Sequence, residues 1–151
     1  MDPRIRQAAP AEALEAAQLL HRFNREFDEP TPEPEALAKR LAELLAGGHD
    51  LVLLADSPAC GIAVVRFRPA LWSAGLESYL AELYVTPERR RQGLGRALMV
   101  TALALAKQKG ADSMDLGTDE GDLAAHALYE SLGFSRGRPG GPVSWYYERE
   151  L

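Results

Sequence analysis

The spacing of apolar residues along the chain changes several times, and each change marks a predicted element. Between residues 11 and 27 the apolar positions recur every three or four residues, which predicts an amphipathic helix with a stripe of Ala13, Ala16, Leu20, Phe23 and Phe27. After a proline-broken acidic stretch, Leu37, Leu41 and Leu44 repeat the helical spacing. This second helix is expected to end at Gly47-Gly48, because glycine readily adopts the left-handed conformation that terminates helices.

Short apolar runs bounded by turn residues predict strands over 3–8, 50–55, 62–67, 77–85 and 113–118. Helical spacing returns over 94–109 and 122–132. Two further runs, "FSRG" and "VSWYYERE", are predicted to close the sheet around a glycine-proline loop. The predicted order is β-α-α-β-β-β-α-β-α-β-β, which indicates one α/β (α+β) domain over 1–151 with a mixed central sheet flanked by helices.

Composition and charge narrow the possible functions. The chain is 46% hydrophobic and 26% charged with a net charge of −5, so its whole surface is not suited to nucleic acid. No apolar run approaches the roughly 18 residues of a membrane-spanning helix. One cysteine, Cys60, excludes an internal disulfide framework and is consistent with a cytoplasmic location. The histidines show no metal-ligand spacing, so no metal is expected.

Four arginines surround two glycines in "RRRQGLGR", where a predicted strand passes into a predicted helix. A helix N-terminus offers unpaired N–H groups and a positive dipole end, and glycine lets an anion approach the backbone. The sequence therefore predicts a diphosphate site. It lacks the lysine and hydroxyl of a P-loop and the third glycine of a dinucleotide fingerprint. Taken alone, the cluster is equally consistent with a glycine turn that carries solvated arginines.

The run "YLAELYVTPERRRQGLGRALM", followed by "AAHALYESLGF", resembles the GNAT superfamily of N-acetyltransferases. In that family an Arg/Gln-x-x-Gly-x-Gly/Ala loop holds the pyrophosphate of acetyl-coenzyme A, and residues 90–95 match it. A later helix with Ala-x-x-x-Tyr-x-x-x-Gly-Phe lines the cofactor, matched by Ala125, Tyr129, Gly133 and Phe134. Element order extends the resemblance over essentially the whole chain, and implies a mostly antiparallel sheet.

The resemblance implies an acetyl-coenzyme A site on the strand before the loop, the loop itself and the later helix. Its members are Leu83, Tyr84, Val85, Arg90, Arg91, Gln92, Gly93, Leu94, Gly95, Arg96, Asp122, Ala125 and Tyr129. Asp122 stands where many relatives have Asn. The resemblance further implies direct attack of an amine on the thioester, a backbone N–H near Leu83 to Val85 for the oxyanion, and Tyr129 as general acid to the thiolate.

Glu82 is the predicted general base. It lies within an apolar strand near the expected thioester, and a half-buried carboxylate has a raised pKa that suits proton abstraction. The alternatives are a substrate contact or a structural hydrogen bond for Glu82, and a core packing role for Tyr129. Cys60 lies in a predicted turn between strands with no obvious base beside it, so we interpret it as a small filler residue and not as a nucleophile.

The resemblance places the acceptor beside the loop between the first two helices, which is rich in acid: Glu26, Asp28, Glu29, Glu33 and Glu35. Such a field attracts cations. The predicted acceptor-binding residues are Phe27, Asp28, Glu29, Trp72 and Tyr79. The predicted substrate is a small cationic amine. Alternatives are a peptide N-terminus as acceptor, a non-catalytic acyl-coenzyme A sensor, and a nucleotide-binding module. The closing strands could pair across a homodimer.

Overall fold

The computed structural model describes all residues from Met1 to Leu151. Five strands form: β1 (Ile5–Gln7), β2 (Asp50–Ala55), β3 (Gly61–Pro69), β4 (Leu76–Val85) and β5 (Ala111–Leu116). Four α-helices form: α1 (Ala13–Glu26), α2 (Pro34–Gly47), α3 (Leu94–Gln108) and α4 (Leu123–Ser131). Short 3-10 turns occupy Pro10–Glu12 and Pro87–Arg89. Up to α4, the order of strands and α-helices is the one that the hydrophobic pattern predicts.

The strands make one sheet in the order β1-β2-β3-β4-β5, and the first four pair antiparallel. The register places Leu54 opposite Ile62, and Ile62 opposite Tyr84. Because side chains alternate across a strand, these three residues share one face of the sheet. This five-stranded, largely antiparallel sheet flanked by helices confirms the predicted fold class.

Helices cover both faces of the sheet. Ala16 and Leu19 of α1 and Leu41 of α2 pack against a face formed by Val52, Leu54, Ile62, Val64 and Tyr84. The opposite face presents Leu53 and Val65, both fully buried, and α3 packs against it with Leu94, Leu98, Met99 and Ala102. These helices therefore bracket the end of β4, where the predicted diphosphate loop begins.

Internal contacts divide the chain into two compact units, Met1–Asp115 and Leu116–Leu151. The first contains α1 to α3, the first four strands and most of β5. The second contains α4 and the segment that follows it. The assignment of 1–151 to a single domain stays a prediction. No helix has both the length and the apolar character that crossing a membrane requires.

The two closing strands that the sequence predicted do not form. Residues 135–151 contain no strand, and the side chains of Trp145, Tyr146 and Tyr147 are 72–84% exposed. The intervening loop explains part of this result, because Pro139 and Pro142 lack the N–H that a ladder needs and the neighbouring glycines cost backbone entropy. A run of aromatic residues alone is an insufficient signal for pairing.

Candidate active site

A bulge in β4 lies directly before the predicted base. Val64 of β3 pairs with Glu82, but Val65 pairs with Leu80, so Ala81 is an extra residue in β4. Bulges bend a strand and redirect its side chains. Glu82 is half-buried, and desolvation alone raises the pKa of its carboxyl above the usual value. A carboxylate with a raised pKa and no compensating charge is well suited to accept a proton.

The loop between β4 and α3 presents backbone N–H groups. Gly93 is the N-cap of α3 with φ 77°, and Arg91 also has a positive φ of 62°. The N–H of Ala97 donates to the carbonyl of Gly93 at 3.0 Å, so the amides from Gly93 to Gly95 precede the helical hydrogen-bond ladder. Together with the positive end of the helix dipole, these amides can bind an anion, and the exposed Arg91 can add charge.

Arg90, at the first position of the loop pattern, is engaged within the protein. Its Nε donates to the carbonyl oxygen of Val85 at 2.9 Å, and its Nη2 donates to Oε2 of Glu26 at 2.7 Å. Its guanidinium carbon lies 5.7 Å from the ring centroid of Tyr84. The hydroxyl of Tyr84 donates to Oε1 of Glu26 at 2.9 Å. One carboxylate at the end of α1 thus holds both a β4 side chain and a loop arginine.

These contacts change the proton affinities in this cluster. Burial acts to raise the pKa of the Glu26 carboxyl, but the hydrogen bonds from Arg90 and Tyr84 outweigh it, and the pKa falls below the usual value. Burial first, and then the hydrogen bond to Glu26, raises the pKa of Tyr84 to about 12. Glu26 is therefore ionised and Tyr84 neutral near pH 7, which maintains the ion pair.

A second arginine of the cluster also has partners within the protein. Nη2 of Arg89 donates to Oδ2 of Asp56 at 2.5 Å, and its Nε donates to Oε1 of Gln92 at 3.1 Å. Arg4 donates to the carbonyl of Gln92 at 3.3 Å. Sequence reasoning grouped the loop arginines as one set. The acidic partners of Arg89 and Arg90 lie 33 and 64 residues away, and no local spacing signals such pairs.

An open cavity of about 550 Å³ adjoins this loop, lined by Leu19, Arg22, residues 56–60, Thr86, Glu88 and Arg89. Its charged side chains are paired with one another. Arg22 donates to both carboxylate oxygens of Glu88 at 3.0 and 2.8 Å, and Arg89 holds Asp56. The two guanidinium groups therefore offer little unbalanced charge to a ligand.

In the second unit, helix α4 holds the predicted general acid. Oδ1 of Asp122 accepts the N–H of Ala125 at 3.0 Å, so Asp122 is the N-cap of this helix. Tyr129 is buried, and its ring meets that of Phe134 edge to face at 5.9 Å. Desolvation, with a smaller contribution from Asp122, raises the pKa of Tyr129 to about 12. The phenol is therefore protonated near pH 7 and able to donate.

The predicted acceptor segment is folded back on α1. Nδ2 of Asn24 donates to the carbonyl of Pro30 at 3.0 Å, and the N–H of Glu29 donates to the carbonyl of Asn24 at 2.8 Å. Nδ1 of His21 lies 2.9 Å from the carbonyl of Pro32. These contacts fix the backbone, while the side chains of Asp28 and Glu29 are exposed. The segment therefore carries negative charge on an ordered backbone.

The apolar acceptor residues do not all come together. Phe27 follows the last residue of α1, packs edge to face on Phe23 at 5.4 Å and remains 56% exposed. Tyr79 lies on β4 opposite Arg66. Trp72, 92% exposed, lies in the β3–β4 connection, at the opposite end of β4 from the loop. At about 3.3 Å per residue this separation is roughly 30 Å. The geometry therefore does not support a shared wall containing Trp72 and Phe27.

The family follows from comparison with known proteins. A sequence profile described as the acetyltransferase (GNAT) family matches residues 15–134, which is most of the chain. The protein belongs to the GNAT family of acetyltransferases. Its predicted identity as an N-acetyltransferase is thereby confirmed.

Relatives of this GNAT acetyltransferase act on more than one acceptor, as their names state. It is 34% identical over 136 residues to an aminoglycoside N(6')-acetyltransferase type 1 of Stenotrophomonas maltophilia, covering 87% of this chain and 86% of that one. It is also 46% identical over 65 residues to a mycothiol acetyltransferase of Thermobispora bispora, a match to 41% of this chain and 22% of that protein.

Solved structures place the acetyltransferase in the same fold. A crystal structure of an acetyltransferase candidate from Arthrobacter sp. FB24 is 44% identical, with a TM-score of 0.91 over 97% of this chain and 95% of that one. A metagenomic aminoglycoside acetyltransferase crystallised with sisomicin shares the fold alone, at 22% identity and a TM-score of 0.74 over 97% and 95% of the two chains.

The structure of the acetyltransferase argues against a cysteine nucleophile. The thiol of Cys60 is buried at the end of the β2–β3 turn, with Sγ 3.6 Å from the carbonyl of Ala55. Burial raises the pKa of this thiol above its usual value. A buried, protonated thiol is a poor nucleophile. The buried placement agrees with the interpretation of Cys60 as a small filler in the turn.

Proposed function

We propose that this acetyltransferase transfers the acetyl group of acetyl-coenzyme A directly to a primary amine of a small cationic molecule. The observation that supports this proposal most directly is the geometry at the start of α3. Gly93 has φ 77°, and the amides from Gly93 to Gly95, next to Arg91, lie outside the helical hydrogen-bond pattern. This arrangement has the charge and the backbone geometry that a diphosphate requires.

The other expected cofactor contacts follow from placing the diphosphate at the start of α3. The diphosphate accepts hydrogen bonds from the backbone N–H groups of Gln92 to Gly95 and from the side chain of Arg91. The pantetheine arm runs along β4 from Leu83 to Val85. A backbone N–H of that strand stabilises the oxyanion as the tetrahedral intermediate forms. Tyr84, Leu94, Arg96, Asp122 and Ala125 remain predicted members of the cofactor site. The predicted absence of a metal remains part of the proposal.

The chemistry uses two groups with opposite proton states. The amine nitrogen attacks the thioester carbonyl carbon, its proton passes to Glu82, and the carbon–sulfur bond breaks. The departing thiolate takes the hydroxyl proton of Tyr129. The raised pKa of the half-buried carboxyl supports the role of Glu82, and a pKa of about 12 keeps the phenol of Tyr129 protonated near pH 7.

The acceptor assignment rests on charge. Asp28 and Glu29 are exposed on a segment that α1 holds in place, beside the half-exposed ring of Phe27. A fixed negative segment favours a polycation over a neutral amine. The aminoglycoside acetyltransferase of S. maltophilia, similar over 87% of the chain, supports the same class of acceptor.

A calorimetric titration with acetyl-coenzyme A, run in parallel with ATP, tests the cofactor. Micromolar binding of the thioester with much weaker ATP binding is expected. Thiol release is then followed with an aminoglycoside, a polyamine, a short peptide with a free N-terminus and a neutral amine. Fastest release with the polycations is expected. Tight binding without turnover on any amine would favour an acyl-coenzyme A sensor, and preference for ATP would overturn the proposal.

A further inference from the structure

We propose that Glu26 and Arg90 act as a positioning pair, so that the last turn of α1 is a structural part of the diphosphate site. This inference rests on the proposed use of acetyl-coenzyme A. It assigns Glu26 to the cofactor side of the enzyme, and it gives Arg90 a role that is not direct phosphate contact.

The peptide unit that starts the loop is held at both ends. The carbonyl of Val85 accepts Nε of Arg90 at 2.9 Å, and the N–H of Thr86 donates to the carbonyl of Cys60 at 2.9 Å. With both polar groups engaged, the plane of this peptide is fixed where the chain leaves β4. The direction of the following residues depends on that plane, and so does the orientation of the backbone N–H groups at the start of α3.

Other groups in turn hold Arg90. Its guanidinium bonds Glu26 at 2.7 Å and lies over the ring of Tyr84, and Glu26 uses its second oxygen to accept the Tyr84 hydroxyl. The Glu26 side chain is 25% exposed and the Arg90 side chain 42% exposed, so the pair is partly open to solvent and is held by several contacts at once. Glu26 also neutralises the charge that Arg90 would offer a phosphate.

The two roles for Arg90 predict opposite signs for one substitution. If Arg90 binds the diphosphate directly, Glu26→Gln removes a competing charge and tightens or preserves cofactor binding. If Glu26 positions Arg90, the same change loosens the loop and weakens binding. The Glu26→Gln result therefore separates the roles, and a double-mutant cycle measures the coupling.

The experiment measures the Kd of acetyl-coenzyme A by calorimetry, together with KM and kcat, for Glu26→Gln, Arg90→Met and the double variant. We expect each single change to raise Kd and KM about tenfold, the double variant to be no weaker than either single one, and kcat at saturation to stay nearly unchanged. Arg90→Lys, which keeps the charge but cannot form the same fork, should also weaken binding.

The matched control is the Arg22–Glu88 pair, which also joins α1 to the β4–α3 connection at 2.8 Å. It makes no contact with Val85, so Arg22→Met and Glu88→Gln should leave Kd within about twofold. Equal weakening in the control, additive effects in the cycle, or unchanged or tighter binding by Glu26→Gln would each overturn the inference. If the unaltered enzyme binds no acetyl-coenzyme A, the proposed function itself fails. If the unaltered enzyme binds it and the variants give one of the contrary results, only the positioning inference fails.

Discussion

At the scale of single residues, Glu82 links stability to pH. Desolvation raises the pKa of its carboxyl in the folded state, so its burial costs stability as the pH rises through that pKa. Below the ordinary glutamate pKa of about 4.3 the group is protonated in both states, and the cost disappears. We therefore expect Glu82→Gln to unfold at a higher temperature than the parent at pH 8 but at the same temperature near pH 4.

Thermal unfolding at the two pH values measures this difference. Glu77→Gln is the control, because Glu77 lies on the same strand in an exposed pair with Arg68. It should show no gain at pH 8. If Glu82 is the base, the same glutamine variant also loses the acidic limb of the kcat/KM profile. An unaltered profile would remove Glu82 from the chemistry.

Tyr129 is expected to affect turnover without affecting cofactor binding. Tyr129→Phe keeps the ring and its edge-to-face contact with Phe134 but removes the hydroxyl that would protonate the thiolate. Loss of one general acid should lower kcat roughly 100-fold. Steady-state kinetics and calorimetry on the same variant check both parts. Normal turnover would leave Tyr129 with a packing role only.

At the scale of elements, Gly93 combines a left-handed conformation with open space. Its φ is 77°, and an added Cβ would meet no atom within 4 Å, so Gly93→Ala incurs backbone strain of about 1 kcal/mol without a clash. Relief of that strain would rotate the amides that should bind the diphosphate. We expect lower stability by chemical unfolding, together with weaker binding of acetyl-coenzyme A by calorimetry.

Gly48 provides a matched control, because it ends α2 with φ 73° and equally open surroundings. Gly48→Ala should lose similar stability and keep its affinity for the cofactor. Equal affinity losses in the two variants would show that the effect of Gly93→Ala is general destabilisation and not a local change in the loop.

Periodicity predicted the local elements well and the long-range contacts poorly. The strand predicted over 50–55 is β2, and the helix predicted over 94–109 is α3 within one residue, because a short apolar run and a three-to-four spacing are properties of neighbouring residues. The pairing of Glu26 with Arg90 depends on how α1 packs on the sheet. The failed closing strands show the same limit, since pairing depends on the available partner and not only on the run itself.

At the scale of the whole molecule, basic and acidic side chains are concentrated in different segments. The protein has a net charge of −5, yet its predicted cofactor loop is rich in arginine and its predicted acceptor segment is rich in acid. Removing acid from that segment should therefore selectively affect cationic acceptors. We expect Asp28→Asn with Glu29→Gln to raise KM for an aminoglycoside several-fold and to reduce its dependence on salt, while KM for acetyl-coenzyme A is unchanged. Glu43→Gln with Glu77→Gln removes the same charge elsewhere and should leave both constants unaltered. Equal effects in the two double variants would mean that net charge, and not the acidic segment, attracts the acceptor.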